Sequence, residues 1–147
     1  MGPLVTTDWL VAELGKPDLV VFDATKYLPN EDKDGHAEFL RAHIAGARYF
    51  DIDVVADPDT DLPHMVPTPG RFAKLVGAMG VSNDSRVVFY DQKGLASAAR
   101  GWWLMGLFGH DQAAVRLQHP RCFLNKFCFV LGVAEALLRP NNVKSIC

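Results

Sequence analysis

Thiols, acidic runs and glycine-rich turns are patterns with which a chain of this size could do chemistry, and their spacing decides which chemistry is open. The three cysteines, Cys122, Cys128 and Cys147, all lie beyond Arg121, and no C-x-x-C pair occurs. An odd set of thiols so placed indicates neither a disulfide framework nor a zinc site. The acidic run DIDVVADPDTD invites a calcium loop. Counting from Asp57, however, puts Leu62 where the turn glycine belongs and Thr68 where the bidentate glutamate belongs. The run therefore reads as a solvated acidic loop. Neither G-x-G-x-x-G nor G-x-x-x-x-G-K-[ST] is present, so no cofactor and no metal are expected.

The elements that must carry any site are legible from pattern. At 147 residues, 49% hydrophobic and 22% charged, the chain has the size and composition of one globular domain. A net charge of -2 gives no basic excess for nucleic acid or anionic lipid, and neither partner is expected. LVVFDA (19–24) and RVVFYD (86–91) are short β-branched apolar runs that read as buried strands. Between them, Thr68 is a candidate N-cap and Pro69 the first helical residue. Phe72, Leu75, Val76 and Met79 form one face before Gly80. TDWLVAEL predicts a helix after Thr6 or Thr7 with Trp9, Leu10 and Leu14 inward, and AEFLRAH a short helix around 37–42. LASAARGWWLMGLFGH predicts a further helix ending near Phe108, with Trp103, Leu107 and Phe108 as an i, i+4, i+5 cluster. Regular alternation of strand and helix predicts an α/β fold: a doubly wound, mostly parallel sheet with helices on both faces. In such sheets chemistry collects beyond the strands' carboxyl ends, here after Tyr90 and after Phe50.

FLRAHIAGARYFDID resembles the signature of the rhodanese sulfurtransferases. That family's motif runs aromatic, three residues, His, aliphatic, Pro-Gly-Ala; Phe39, His43, Ile44, Gly46 and Ala47 match, and Ala45 replaces the proline. VTTDWL, VVFDA, YFDID, PHM, RVVFYD and SAARGWW extend the likeness from residue 4 to about 115. Together they resemble the amino-terminal domain of the two-domain thiosulfate and 3-mercaptopyruvate sulfurtransferases. In this motif His43 is expected to hold the turn by bonding backbone.

The resemblance also implies where activity resides. An active rhodanese domain places a cysteine after the corresponding strand, in a loop whose N–H groups stabilise a thiolate and persulfide. Asp91 stands there, and a carboxylate can neither attack a sulfane sulfur nor carry it. A Cys-x5-Arg phosphatase loop is excluded by the same residue. The family keeps its catalytic cysteine in a carboxy-terminal domain, and this sequence ends before a second copy would begin. The partners implied are thus a catalytic rhodanese domain and a small-molecule sulfur donor. From the mercaptopyruvate branch, Asp53 and His64 carry over as accessory catalytic groups facing a shared cleft, where a His relays protons and a carboxylate orients its tautomer. Arg100 carries over as an interface residue whose guanidinium could pair across domains. On the bland reading, Asp53 caps a turn, His64 is solvated and Arg100 is a surface or helix-packing arginine.

Two units are expected: a rhodanese-like domain over 1–117 and a divergent tail over 118–147. The family would close its sheet with a strand, a Gly-Gly turn and a helix carrying a tryptophan. QHPRCFLNKFCFVLGVAEALLRPNNVKSIC matches none of these and reads as a different reading frame, an alternative exon or a retained intron. Its apolar stretch is broken by Glu135 and is shorter than the ~20 residues of a membrane span. A tail that cannot complete the sheet would leave Trp102, Trp103 and Phe108 partly uncovered and the domain marginally stable. Without a visible signal or transit segment the expected location is cytoplasmic, with the mitochondrion the family's alternative. The competing function is a stand-alone inactive rhodanese-like module that binds a protein.

Overall fold

The computed structural model describes residues 1–117, so the expectations for the tail, its cysteines and its apolar stretch lie outside the described residues. Ten elements follow in chain order: β1 (Leu4–Val5), α1 (Thr7–Glu13), β2 (Leu19–Asp23), α2 (Gly35–Arg41), β3 (Arg48–Tyr49), α3 (Ile52–Val55), α4 (Pro69–Ala78), β4 (Arg86–Tyr90), α5 (Ala98–Leu107) and β5 (Ala113–Arg116). The strands form one parallel sheet in the order β1-β5-β4-β2-β3. The two β-branched runs are its centre, paired from Leu19 with Arg86 to Asp23 with Tyr90. From β2 the chain crosses to β3 on one side, and from β4 to β5 on the other. The loops after β2 and β4 therefore open the crevice where a parallel sheet reverses its winding.

Alternation of side chains along the strands feeds two cores. On one face Val20, Phe22, Val87, Phe89 and Val115 pack under α3, α4 and α5; on the other Val21, Val88, Tyr90 and Ala114 pack under α1 and the α2–β3 segment. Phe22, Phe50 and Phe89 meet at ring-centroid distances of 5.1 to 5.5 Å. The helix starts follow their caps: Thr6, Asp34 and Thr68 accept from the backbone N–H groups of Trp9, Ala37 and Arg71. No helix among the described residues is long and apolar enough to cross a membrane.

Three features depart from the sequence reading. The strand-helix alternation is interrupted between β3 and β4 by two helices, α3 and α4, because Asp51 caps a one-turn helix ahead of the longer loop. The helix expected around 37–42 begins at Gly35, where Asp34 supplies the cap. On α5 the buried residues are Ala98, Gly101, Leu104 and Met105, while Trp102, Trp103 and Leu107 are exposed. The physical reason is close approach. A Cβ at Gly101 would lie 2.3 Å from the Phe89 ring, so α5 meets the sheet closely through Gly101, with Leu104 and Met105 in the core beside it and the two tryptophans turned outward.

Candidate functional site

At the carboxyl end of β4 the chain turns back on Asp91, which is only 3% exposed. Its Oδ1 accepts from the backbone N–H of Lys93 (2.9 Å) and Leu95 (3.1 Å), and its Oδ2 from those of Ser97 and Ala98 (both 2.9 Å). Gly94 and Leu95 adopt positive φ (86° and 71°), which curls the loop around the carboxylate. Ser97, at the N-cap of α5, makes no side-chain cap; Asp91 takes that place, and the Ser97 hydroxyl accepts from the Lys26 N–H at 3.2 Å. Chemically the loop is a cradle of donors around an anion, and the anion is an internal carboxylate.

The neighbouring strand ends in the same residue type. Asp23 is fully buried and accepts from Thr25 N–H (2.9 Å) and from the Gln92 amide (3.3 Å). The Thr25 hydroxyl accepts from Gln92 N–H at 2.9 Å, so the loops after β2 and β4 are cross-linked. Beside them the Tyr90 hydroxyl accepts from Ile44 N–H at 3.0 Å. Burial, and then the negative charge of Asp23, push its phenol well above the usual range, so it stays neutral. His43 Nδ1 lies 2.8 Å from the Phe39 carbonyl, and its ring stacks on Phe39 at 4.2 Å. That is the turn-holding contact expected of it.

The other carried-over residues converge elsewhere. Asp51 Oδ1 accepts from the N–H groups of Asp53 (2.9 Å) and Val54 (3.4 Å), so Asp51, not Asp53, caps α3. Asp53 is left free to point outward: its Oδ1 lies 3.0 Å from His64 Nδ1, and its Oδ2 pairs with Lys26 Nζ. Both side chains are about half exposed, 51% for Asp53 and 45% for His64. With Nδ1 engaged, Nε2 is the nitrogen able to accept or deliver a proton. Arg100 Nη2 donates to the His64 carbonyl at 2.5 Å. The pair borders an open cleft of about 640 Å³, lined also by Lys26, Tyr27, Lys33 and Asp34.

Asp53, His64 and Arg100 are thus brought together, while Asp91 sits apart, sealed in its loop. Sequence reasoning missed Lys26, which has no spacing rule linking it to a carboxylate 27 residues away. It also missed the Asp23–Thr25–Gln92 network, although LVVFDAT and RVVFYDQ both end an apolar strand on a carboxylate.

The comparisons with known proteins agree with this fold. A family model described as a rhodanese-like domain matches residues 6–118. A mitochondrial thiosulfate/3-mercaptopyruvate sulfurtransferase of Arabidopsis thaliana is 46% identical over 113 residues, which are 77% of this chain and 30% of that protein. The 3-mercaptopyruvate sulfurtransferase of Escherichia coli K12 is 37% identical over 112 residues, 76% of this chain and 40% of the relative. The chain thus spans between 30% and 40% of the length of these two relatives. The crystal structure of SseA from Escherichia coli superposes with a TM-score of 0.72 at 36% identity, covering 79% of this chain and 45% of that one. A human single-domain sulfurtransferase, at 19% identity and a TM-score of 0.54, shares the fold and is covered over 94% of its length. The match over residues 6–118, with the parallel sheet it implies, places this chain in the rhodanese-like domain family.

Proposed function

We propose that residues 1–117 act as the amino-terminal, non-catalytic domain of a thiosulfate or 3-mercaptopyruvate sulfurtransferase. The observation that carries this reading is the sealed Asp91: the position where the family resemblance puts a sulfur-carrying thiol holds a carboxylate already saturated by four backbone donors. The partner is a rhodanese domain bearing the cysteine, and the donor is a small sulfur compound. Asp53 and His64 form one wall of the cleft facing that domain, and Arg100 stands behind them.

The open pair suits 3-mercaptopyruvate in particular. Attack of the partner domain's thiolate on the substrate sulfur forms an S–S bond and breaks the C–S bond, leaving a persulfide and the enolate of pyruvate. The enolate must take up a proton, and a histidine whose Nδ1 is held by a carboxylate can deliver one from Nε2. With thiosulfate the leaving group is sulfite and no proton is required at carbon. The proposed location is cytoplasmic, with the mitochondrion as the alternative.

The test is sulfur transfer by the 147-residue chain from each donor, beside versions with Cys122, Cys128 or Cys147 replaced by Ser. The expected result is no turnover in any sample. Turnover abolished by one replacement would place the nucleophile in the tail and overturn the reading.

A second reading, a stand-alone inactive module that binds a protein, is favoured by the exposed Trp102, Trp103 and Leu107 on α5. Binding to a protein that has no rhodanese domain, with no effect on turnover, would support it.

A further inference from the structure

Resting on the reading of Asp53 and His64 as a proton-transfer pair, a further question is what holds two half-exposed side chains in register. An isolated surface ion pair is worth little and does not by itself fix a geometry. His64 lies in the loop between α3 and α4, whose base is closed by Asp57 N–H donating to the Met65 carbonyl at 3.1 Å. Its φ is +57°, a left-handed conformation uncommon for a residue with a Cβ. That backbone conformation sets the direction of the ring and thus the 3.0 Å approach of Nδ1 to Asp53.

Arg100 meets the loop at this residue. It sits in the first turn of α5, its guanidinium carbon 4.6 Å from the centre of the Trp103 ring and its Nη2 2.5 Å from the His64 carbonyl. Its Nε is buried without a hydrogen-bond partner among the described residues. A guanidinium that forgoes one hydrogen bond to lie against an indole has its fork fixed in direction. The helix carrying it is itself anchored, since Asp91 accepts from Ala98 N–H at its start.

We infer that Arg100 is a positioning residue for the proton-transfer pair: braced on Trp103, it holds His64 in the left-handed conformation from which Nδ1–H donates to Asp53. It touches neither substrate nor the reacting atoms. The same contacts give Trp103 a task inside the domain, as the surface that fixes the guanidinium.

The experiment reads the tautomer of the His64 ring by ¹⁵N NMR at alkaline pH, in the 147-residue chain and in its Arg100→Met and Asp53→Ala variants. The unaltered chain should hold mainly the Nδ1–H form. Both variants should lower the Nδ1–H to Nε2–H ratio by about fivefold, the weight of one hydrogen bond, with the amide signals of β2 and β4 unmoved. A lowered ratio in Asp53→Ala with no change in Arg100→Met would overturn the proposal. So would a ratio unaffected by either.

Should Arg100→Met fail to fold, Arg100→Lys keeps the stem and charge but loses the planar fork, and should lower the ratio in the same direction. An unchanged ratio in a folded Arg100→Lys would also count against the proposal. Slowly exchanging Arg100 Nη protons in the unaltered chain would support it independently, and freely exchanging ones would contradict it. Failure of the sulfur-transfer reading would appear in turnover and leave the ring tautomer untouched, so the two outcomes are separable.

Discussion

The loop after β4 and the cleft beside α3 present carboxylates in opposite states. Asp91 is buried and accepts four backbone hydrogen bonds; Asp53 is half exposed and meets only side chains, His64 and Lys26. The difference teaches where chemistry is possible. A carboxylate that satisfies a loop is part of the fold, and removing it leaves donors stranded in a dry place. A carboxylate on a cleft rim, holding one nitrogen of an imidazole, contributes little to the fold and is free to serve a reaction.

The comparison breaks most readily at Asp91. Asp91→Ala strands the N–H groups of Lys93, Leu95, Ser97 and Ala98 and should cost about 3 kcal/mol, read as a lower urea midpoint at unchanged slope. Asp53→Ala should cost less than about 0.5 kcal/mol by the same measurement, and equal losses at the two positions would erase the distinction. The support beneath the loop comes next. Gly101→Ala drives a Cβ into Phe89 and should cost about 2 kcal/mol, because α5 must lift from the strand that carries Asp91.

The smallest effect lies at the opposite end of β4. Arg86 donates to Glu13 at 2.6 Å and to Asp18 at 2.6 and 3.1 Å. Hydrogen bonds from Lys16 and then Arg86 hold the Glu13 carboxyl below its ordinary range, and Arg86 does the same for Asp18. Because the unfolded chain binds these protons more readily, the stabilisation is present above the ordinary carboxylate range and is lost as pH falls through the lowered folded values. Arg86→Met should flatten that acid limb by slightly lowering stability at pH 7 while leaving it unchanged at strongly acid pH, as thermal unfolding across pH would show.

How much of this was legible in the sequence follows from what sets each feature. The central strands are β-branched apolar runs, and the Thr68-Pro69 start of α4 is a local cap, so both can be read along the chain. The buried face of α5, formed by Ala98, Gly101, Leu104 and Met105, is not marked by the Trp103, Leu107 and Phe108 cluster, because it is set by the close approach of Gly101 to Phe89, a contact no local pattern announces. Asp53 and His64 came from the family resemblance, not from spacing, and their meeting at 3.0 Å depends on a left-handed backbone that no local pattern announces. Arg100, expected at an interface between domains, makes its hydrogen bond within the domain, to a loop that chain distance does not connect to α5.

The most direct test of the central claim is a chimera in which the matched 113-residue segment of the Arabidopsis thaliana relative is replaced by the corresponding residues of this chain. With this domain supplying the accessory wall, the chimera should turn over 3-mercaptopyruvate, and His64→Ala should lower kcat at least about tenfold without altering the fold. A folded chimera that is inactive, or one whose turnover is indifferent to His64, would contradict the account.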